Sequence, residues 1–173
     1  AILLALSLTA CSSVEDEQRE VIESQGASAL YKQAKRSMDV GNFSAAAQIL
    51  SSIDSKFPFG PLSHQVQLDL IYSYYKTGDV DQTLATIDRF IRLNPNHADV
   101  EYAIYMRGVI NMEQDSNLFQ SIFNNYRSDR DPSKSKEAFE DFRRLNEKHP
   151  ESKYATDAKQ RKPSIKNRLH KDE

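Results

Sequence analysis

Few residues of this sequence combine a reactive side chain with the spacing that catalysis or metal binding requires. The four histidines lie far apart, and none has a second ligand type at metal-site spacing: His64, His97, His149 and His170. Two pairs of acidic residues, Asp79/Asp81 and Asp129/Asp131, are typical of turns and helix caps. The sequence contains no glycine-rich phosphate loop and no nucleophile-elbow motif. We therefore predict that the protein is not an enzyme and that it has no metal site and no cofactor.

One residue points to a specific reaction, and that residue is Cys11, the only cysteine in the chain. It follows an apolar run that is too short to span a bilayer but fits the second half of a signal-peptide hydrophobic region. The motif "LTAC" resembles a lipobox, in which small residues precede a cysteine that accepts a diacylglycerol. We predict a partial signal peptide over residues 1–10, a covalent lipid on Cys11 and an acidic tether over residues 11–26. A buried thiol is the alternative, but the acidic segment offers it no apolar surface.

The rest of the chain has the composition of one helical domain. Residues 12–26 carry five acids and one arginine, whereas residues 159–171 carry six bases and no acid. Because the middle of the chain is balanced in charge, we interpret both ends as solvated surface and predict no nucleic-acid binding. Glycine is scarce and long alternating runs of β-branched residues are absent from the sequence, so we predict an all-α fold.

Two segments of the sequence resemble each other at a distance of 37 residues. They align on a turn glycine, Gly41 and Gly78, and on a proline that ends a helix, Pro58 and Pro95. Between these marks the apolar residues form one helical stripe in each copy: Phe43, Ala46, Ala47, Leu50 and Ile53, then Val80, Leu84, Ile87 and Ile91. The pattern is that of tetratricopeptide repeats. We predict a solenoid of antiparallel helix pairs over residues 27–173, with about three repeats and an incomplete fourth.

The same register extends to the first helix of each pair. The position where paired helices cross closely recurs in 37-residue steps, at Ala34, Ile71 and Gly108. This predicts a third first helix over residues 99–114 and its partner over residues 134–150. Residues 115–131 between them are an insertion, which is either a functional loop or an extended turn folded onto the repeats.

The fourth unit departs from the pattern at Pro163, which falls inside its first helix. A proline there costs about 3 kcal/mol and disrupts packing. We therefore expect the helix to break, residues 160–173 not to fold, and the C-terminus to be truncated or altered.

The register also identifies the residues on the outward side of the first helices, which line a concave groove in such arrays. All tyrosines of these helices except Tyr74 fall on this side, and no phenylalanine occurs on them. Tyrosine combines a broad apolar ring with a polar tip that tolerates water, as a recognition groove requires. We predict that a peptide or partner chain binds this side, at Tyr31, Lys35, Leu68, Tyr72, Tyr75, Lys76, Tyr102 and Tyr105. The alternative is that the rings wedge between adjacent repeats.

Longer stretches resemble one family rather than repeats in general. "FPFGPLSHQVQLDLIYSYYKTGD" (57–79), "IDRFIRLNPNHADVEYAIYMRGVINM" (87–112) and "RSDRDPSKSKEAFEDF" (127–142) are similar to the BamD family, also called YfiO or ComL. These are tetratricopeptide lipoproteins of the outer-membrane β-barrel assembly machinery. The resemblance runs from the lipobox to about residue 160.

The resemblance implies a lipid-anchored subunit on the periplasmic face of the outer membrane. It implies docking on BamA, contacts with BamC and BamE, and recognition of the aromatic C-terminal segment of unfolded outer-membrane proteins. By similarity to enterobacterial lipoproteins, Ser12 after the cysteine favours the outer over the inner membrane. The family has two further repeats beyond this chain, and much of the BamA and BamE docking surface lies there.

Two other functions fit the anchor and the repeats. One is a tetratricopeptide lipoprotein that acts as a scaffold for cell-wall enzymes or as a secretin pilot. The other is a periplasmic hydrolase whose catalytic domain lies beyond residue 173. The loop at residues 57–61 and the insertion at 115–131 favour the assembly factor over a generic scaffold, which needs neither.

Overall fold

The computed structural model describes the backbone of residues 12–122 and 133–169 and, within these ranges, the side chains of residues 26–114, 133–167 and 169. This part of the chain is entirely helical apart from turns, which confirms the predicted all-α class. Its helices are α1 (Ser12–Asp39), α2 (Phe43–Lys56), α3 (Ser63–Thr77), α4 (Val80–Leu93), α5 (Val100–Ile122), α6 (Ser133–Lys148) and α7 (Ala155–Leu169). The chain divides into two compact units, Ala1–Gly78 and Asp79–Glu173.

In the first unit, α2 packs against both α1 and α3. The predicted apolar stripe of α2 contributes to the core of this unit, because Ala46, Ala47, Leu50 and Ile53 are all buried. Ala34 of α1 is fully buried in the same cluster, as expected at a close helix crossing. The core also contains a polar pair, in which the Gln67 amide donates to Asp54 Oδ1 at 3.2 Å. A carboxylate can be buried there because it has a hydrogen-bonding partner.

The turns that end α1 and α3 use the glycines that the repeat predicted. Gly41 and Gly78 have φ angles of 76° and 75°, a left-handed conformation that side-chain-bearing residues rarely adopt. The next helix then starts at a cap: Asn42 accepts from the Ala45 amide, and Asp79 accepts from the Gln82 amide at 3.2 Å. The predicted capping role of Asp79 is confirmed.

In the second unit, α5 packs against α4 and α6, and α6 packs against α7. The crossing of α5 and α6 is so close that only glycine fits at position 108. A Cβ atom on Gly108 would lie 2.6 Å from Cε1 of Phe142, whose side chain is fully buried. The register therefore identified this crossing correctly.

A single arginine joins three helices of the second unit. Arg107 on α5 makes a bidentate contact with Asp141 on α6, at 2.6 and 2.9 Å, and reaches Asp88 on α4 at 2.6 Å. Burial raises the pKa of Asp141, and the guanidinium opposes that shift. Since the Asp141 side chain is only 6% exposed, the guanidinium is needed to compensate its charge.

The helix boundaries differ from the predictions at two places. Helix α1 begins at Ser12, so the backbone of the segment assigned to a tether is helical. Helix α5 continues to Ile122, so the first part of the predicted insertion extends a helix. Asp129 and Asp131, predicted to be turn or cap residues, lie outside the described residues, as do residues 1–11 and 170–173.

The expectation that Pro163 breaks its helix was wrong, since α7 runs from Ala155 to Leu169 without interruption. Pro163 and Lys159 both lie on the exposed side of the helix, where water can solvate the carbonyl that lacks an N–H partner. Ile165 is fully buried and holds the helix beyond the proline. The Ser164 hydroxyl also donates to the Arg161 carbonyl at 2.7 Å.

The crossing at Gly108 gives a first prediction. Gly108→Ala should destabilise the protein by about 1–2 kcal/mol, because overpacking the Phe142 ring outweighs the roughly 1 kcal/mol that alanine gains in a helix. Denaturant unfolding followed by circular dichroism measures this change. Gly26→Ala is the matched control, since its nearest contact would be 4.0 Å away. Equal stabilisation by both substitutions would show that the crossing has room for a methyl group.

The Arg107 bridge gives a second prediction. Arg107→Met should cost about 3 kcal/mol at pH 7, because it leaves Asp141 buried and unpaired. Burial raises the pKa of that carboxyl, so the deficit should shrink as the pH falls and the carboxyl gains a proton. Arg143→Met is the control, since Arg143 pairs with Glu140 and Glu147 on the exposed face of α6. A loss of stability that is the same at pH 7 and pH 4 would contradict the explanation.

Candidate binding surfaces on the first helices

The residues predicted to line a groove lie on α1 and α3 in the first unit and on α5 in the second. Not all of these residues are accessible to a binding partner. Leu68 is only 8% exposed, so its predicted place on an accessible groove wall is wrong. Tyr75 is half-buried and has an interaction of its own. The remaining residues form three clusters with different properties.

The first cluster is a polar tie between α1 and α3. The Tyr31 hydroxyl donates to Asp69 Oδ2 at 2.7 Å, and the Gln65 amide donates to Asp69 Oδ1 at 3.2 Å. Lys35 lies 3.6 Å from the same carboxylate. Burial, together with the neighbouring carboxylate, raises the pKa of Tyr31 well above its usual value. The phenol is therefore a permanent donor inside the unit, and it is not free to meet a ligand.

The second cluster, which we call the aromatic patch, consists of Phe43, Tyr72 and Lys76 in the first unit. The Tyr72 ring meets the Phe43 ring edge to face, with centroids 5.5 Å apart. The Lys76 ammonium lies 5.4 Å from the Phe43 centroid, within range of a cation–π contact. Tyr72 is 38% exposed and Lys76 is also exposed. The patch thus offers an accessible ring, a hydroxyl and a positive charge together.

The third cluster belongs to the second unit and joins α5 to the start of α7. The Tyr105 ring stacks on Tyr154 with centroids 4.8 Å apart, and Tyr102 approaches the same ring at 5.9 Å. The Tyr105 hydroxyl donates to Asp157 at 2.7 Å. Burial and this bond raise the pKa of Tyr105, while the bond from Arg161 lowers the pKa of Asp157. These tyrosines match the alternative in which rings wedge between repeats.

Several partners in these clusters were missed from sequence. Phe43 was assigned to the apolar stripe of α2, yet it is only partly buried and its ring contacts Tyr72 in the aromatic patch. The role of Asp69 could have been predicted from sequence, because a carboxylate inside the apolar run of α3 requires a hydrogen-bond donor nearby. The role of Tyr154 could not have been predicted in this way, because Tyr154 lies in the turn before α7 and belongs to no helical stripe.

The described residues contain no cluster of three or more histidine, cysteine, aspartate or glutamate side chains that could hold a metal ion. Among those residues, no helix has both the length and the apolar character to cross a membrane. Cys11 lies outside the described part of the chain. Of the three clusters, the aromatic patch combines an exposed ring with an exposed positive charge, and it is the candidate binding surface.

Comparison with known proteins agrees with this architecture. A tetratricopeptide repeat family model matches residues 18–162. The first tetratricopeptide domain of Spaghetti (RPAP3), solved with an HSP90 peptide, superposes with a TM-score of 0.61 at 16% identity. The match covers 85% of this chain and 95% of that one, so the two share the fold. The prediction of a tetratricopeptide-repeat solenoid is confirmed.

Sequence relatives are more specific. The chain is 48% identical to the outer membrane protein assembly factor BamD of Vibrio cholerae, over 96% of this chain and 68% of the relative. It is 35% identical to BamD of Neisseria meningitidis serogroup B, over 91% of this chain and 60% of the relative. It is 30% identical to BamD of Xylella fastidiosa, over 96% of this chain and 57% of the relative. The chain thus spans from slightly over half to about two thirds of the length of these proteins. It belongs to the BamD family of outer membrane protein assembly factors, which are built from tetratricopeptide repeats.

Proposed function

We propose that the protein is a lipid-anchored periplasmic subunit that binds unfolded β-barrel proteins during outer-membrane assembly and docks on BamA, BamC and BamE. It performs no chemistry in this role. The observation that carries the proposal is the 48% identity to the Vibrio cholerae assembly factor across 96% of the chain. Such identity over nearly the whole chain exceeds what repeats alone impose, because the repeat fixes only the turn and crossing positions.

The membrane attachment in this proposal is a diacylglycerol on Cys11. Small residues precede the cysteine, and the acidic segment that follows gives its thiol no apolar surface. Since α1 begins at Ser12, the lipid would sit directly at the start of a 28-residue helix. Because Ala27 and Ala34 of α1 are buried in the first unit, only the part of α1 before residue 27, about 22 Å long, would act as a semi-rigid spacer between the membrane and the repeats.

The client-binding part of the proposal rests on the aromatic patch. An unfolded β-barrel segment is extended and carries aromatic residues and, at its end, a carboxylate. Tyr72 offers such a segment a ring face and a hydroxyl, and Lys76 offers a positive charge. Tyr31 contributes by tying α1 to α3 in the first unit, since its hydroxyl already has a partner. Tyr102 and Tyr105 have partners within the second unit and stabilise that unit instead.

Substitution of tyrosines tests this division of roles. Tyr72→Ala should weaken binding of a labelled peptide from the C-terminal strand of a β-barrel protein by about tenfold while changing stability little. Tyr105→Ala should instead cost about 2 kcal/mol of stability, because it loses a stacked ring and a hydrogen bond. Fluorescence anisotropy and thermal unfolding measure the two effects.

Tyr72→Phe serves as the control, since it keeps the ring and removes only the hydroxyl. The proposal for the patch fails if Tyr72→Ala lowers the melting temperature by many degrees and leaves peptide binding unchanged.

The anchor has its own test in the full-length precursor. Cys11→Ser should abolish incorporation of labelled palmitate and release the protein from the membrane fraction, because the lipid is attached through the Cys11 thiol. Ser13→Ala, two residues away, should leave both unchanged. A processed Cys11→Ser protein that carries no lipid and yet stays in the membrane fraction would refute the anchor.

A further inference from the structure

The most exposed large hydrophobic residue in the described part of the chain is Phe59, in the turn between α2 and α3, with 97% of its surface open to solvent. The turn that carries it is rigid. Pro58 and Pro61 fix two φ angles, the Gly60 amide donates to the Phe57 carbonyl at 3.2 Å, and the Ser63 amide donates to the Gly60 carbonyl at 2.9 Å. Phe57 packs against the core of the first unit and anchors the turn. A fully exposed phenylalanine is thus held in one place.

The repeat itself does not require an aromatic residue there. The turn before α5 has the same two hydrogen bonds 37 residues later, from His97 to Asn94 and from Val100 to His97. The turn before α7 has them again, from Ser152 to His149 and from Ala155 to Ser152. At the tip, where the first turn carries Phe59, these two turns carry exposed polar residues, Asn96 and Glu151. Folding of the turn therefore does not explain Phe59.

The shape and charge of the surroundings indicate what Phe59 contacts. The ring is fully exposed at the tip of a short turn, and an extended peptide would itself need a groove in which to bind. A pocket on the partner is therefore the surface that could enclose this ring. Residues 55–68 contain no acidic residue, and Lys56 and His64 are exposed on either side of the tip. One aromatic ring and one lysine are too weak to hold a membrane surface by themselves. The features fit a folded protein domain.

We propose that the turn at residues 57–61 is a docking knob, in which Phe59 inserts into an apolar pocket edged by carboxylates on a folded partner domain. A preformed aromatic knob loses little conformational entropy on binding, which is the usual property of an interface hot spot. Lys56 and His64 then face the acidic edge of the pocket and fix the orientation. This inference deepens the docking role proposed above and rests on it.

The test is in-cell photo-crosslinking with benzoylphenylalanine in place of Phe59 in the full-length protein. The same probe at Asn96 is the control, because it occupies the same turn geometry without the aromatic residue. Mass spectrometry of the adduct should map the crosslink to a pocket in a folded domain with acidic residues at its edge. Lys56→Glu should then lower the adduct yield, and Phe59→Asn should weaken binding of the purified partner by about tenfold or more.

The outcomes separate this inference from the proposed function. Adducts to lipid, adducts to extended unfolded clients, equal adducts at positions 59 and 96, or no adduct at position 59 would each overturn the docking knob. A probe at Tyr72 that captures unfolded β-barrel proteins would leave the proposed function intact in those cases. Conversely, a mapped acidic-edged pocket on a domain unrelated to outer-membrane assembly would retain the knob and overturn the proposed function.

Discussion

Most helices of this protein are too short to be stable alone, so each depends on burial against its neighbour. Helices α2, α3, α4, α6 and α7 have 14 to 16 residues, a length that is marginal for an isolated helix in water. Close approach is possible because small residues occupy the crossings, Ala34 in the first unit and Gly108 in the second. In α2, α4 and α6 the buried residues form one stripe, which leaves the opposite face exposed. Helix α3 is instead buried continuously from Val66 to Ile71, and its accessible residues Tyr72 and Lys76 follow that run.

The hydrogen bonds of Tyr31 and Tyr105 show that the same link between helices can be made with different sequences. Tyr31 and Tyr105 occupy equivalent positions, and each donates to a carboxylate on the next first helix. In the register of the turns that precede α3 and α7, however, Asp157 corresponds to Gln65 and Arg161 to Asp69. The carboxylate has moved by one helical turn, yet the bond to the phenol persists. The physical requirement is an acceptor within reach of the hydroxyl, rather than an aspartate at one fixed position.

Sequence periodicity predicted the helices, the turn glycines, the Asp79 cap and most of the buried stripe, because all of these follow from local geometry. In α4 it missed three buried residues, Thr83, Thr86 and Phe90. The two threonine hydroxyls donate to the carbonyls of Asp79 and Gln82, which allows them to be buried. The prediction for Pro163 was also wrong, because the position of a proline in the repeat does not reveal that its ring faces solvent. The predicted binding residues shared one helical side, but that side alone could not separate tyrosines with partners from the accessible Tyr72. Partners such as Tyr154 come from distant turns and have no periodic relation to the first helices.

Equivalent positions in a repeat protein separate what folding requires from what binding requires. Where the same backbone hydrogen bonds recur with the same residue types, as at Gly41 and Gly78, the repeat explains the residue. Where the geometry recurs but the residue differs, as at Phe59, Asn96 and Glu151, stability does not dictate the side chain. Folding therefore does not select the phenylalanine at this tip, whereas the docking knob proposed above gives its exposed ring a role.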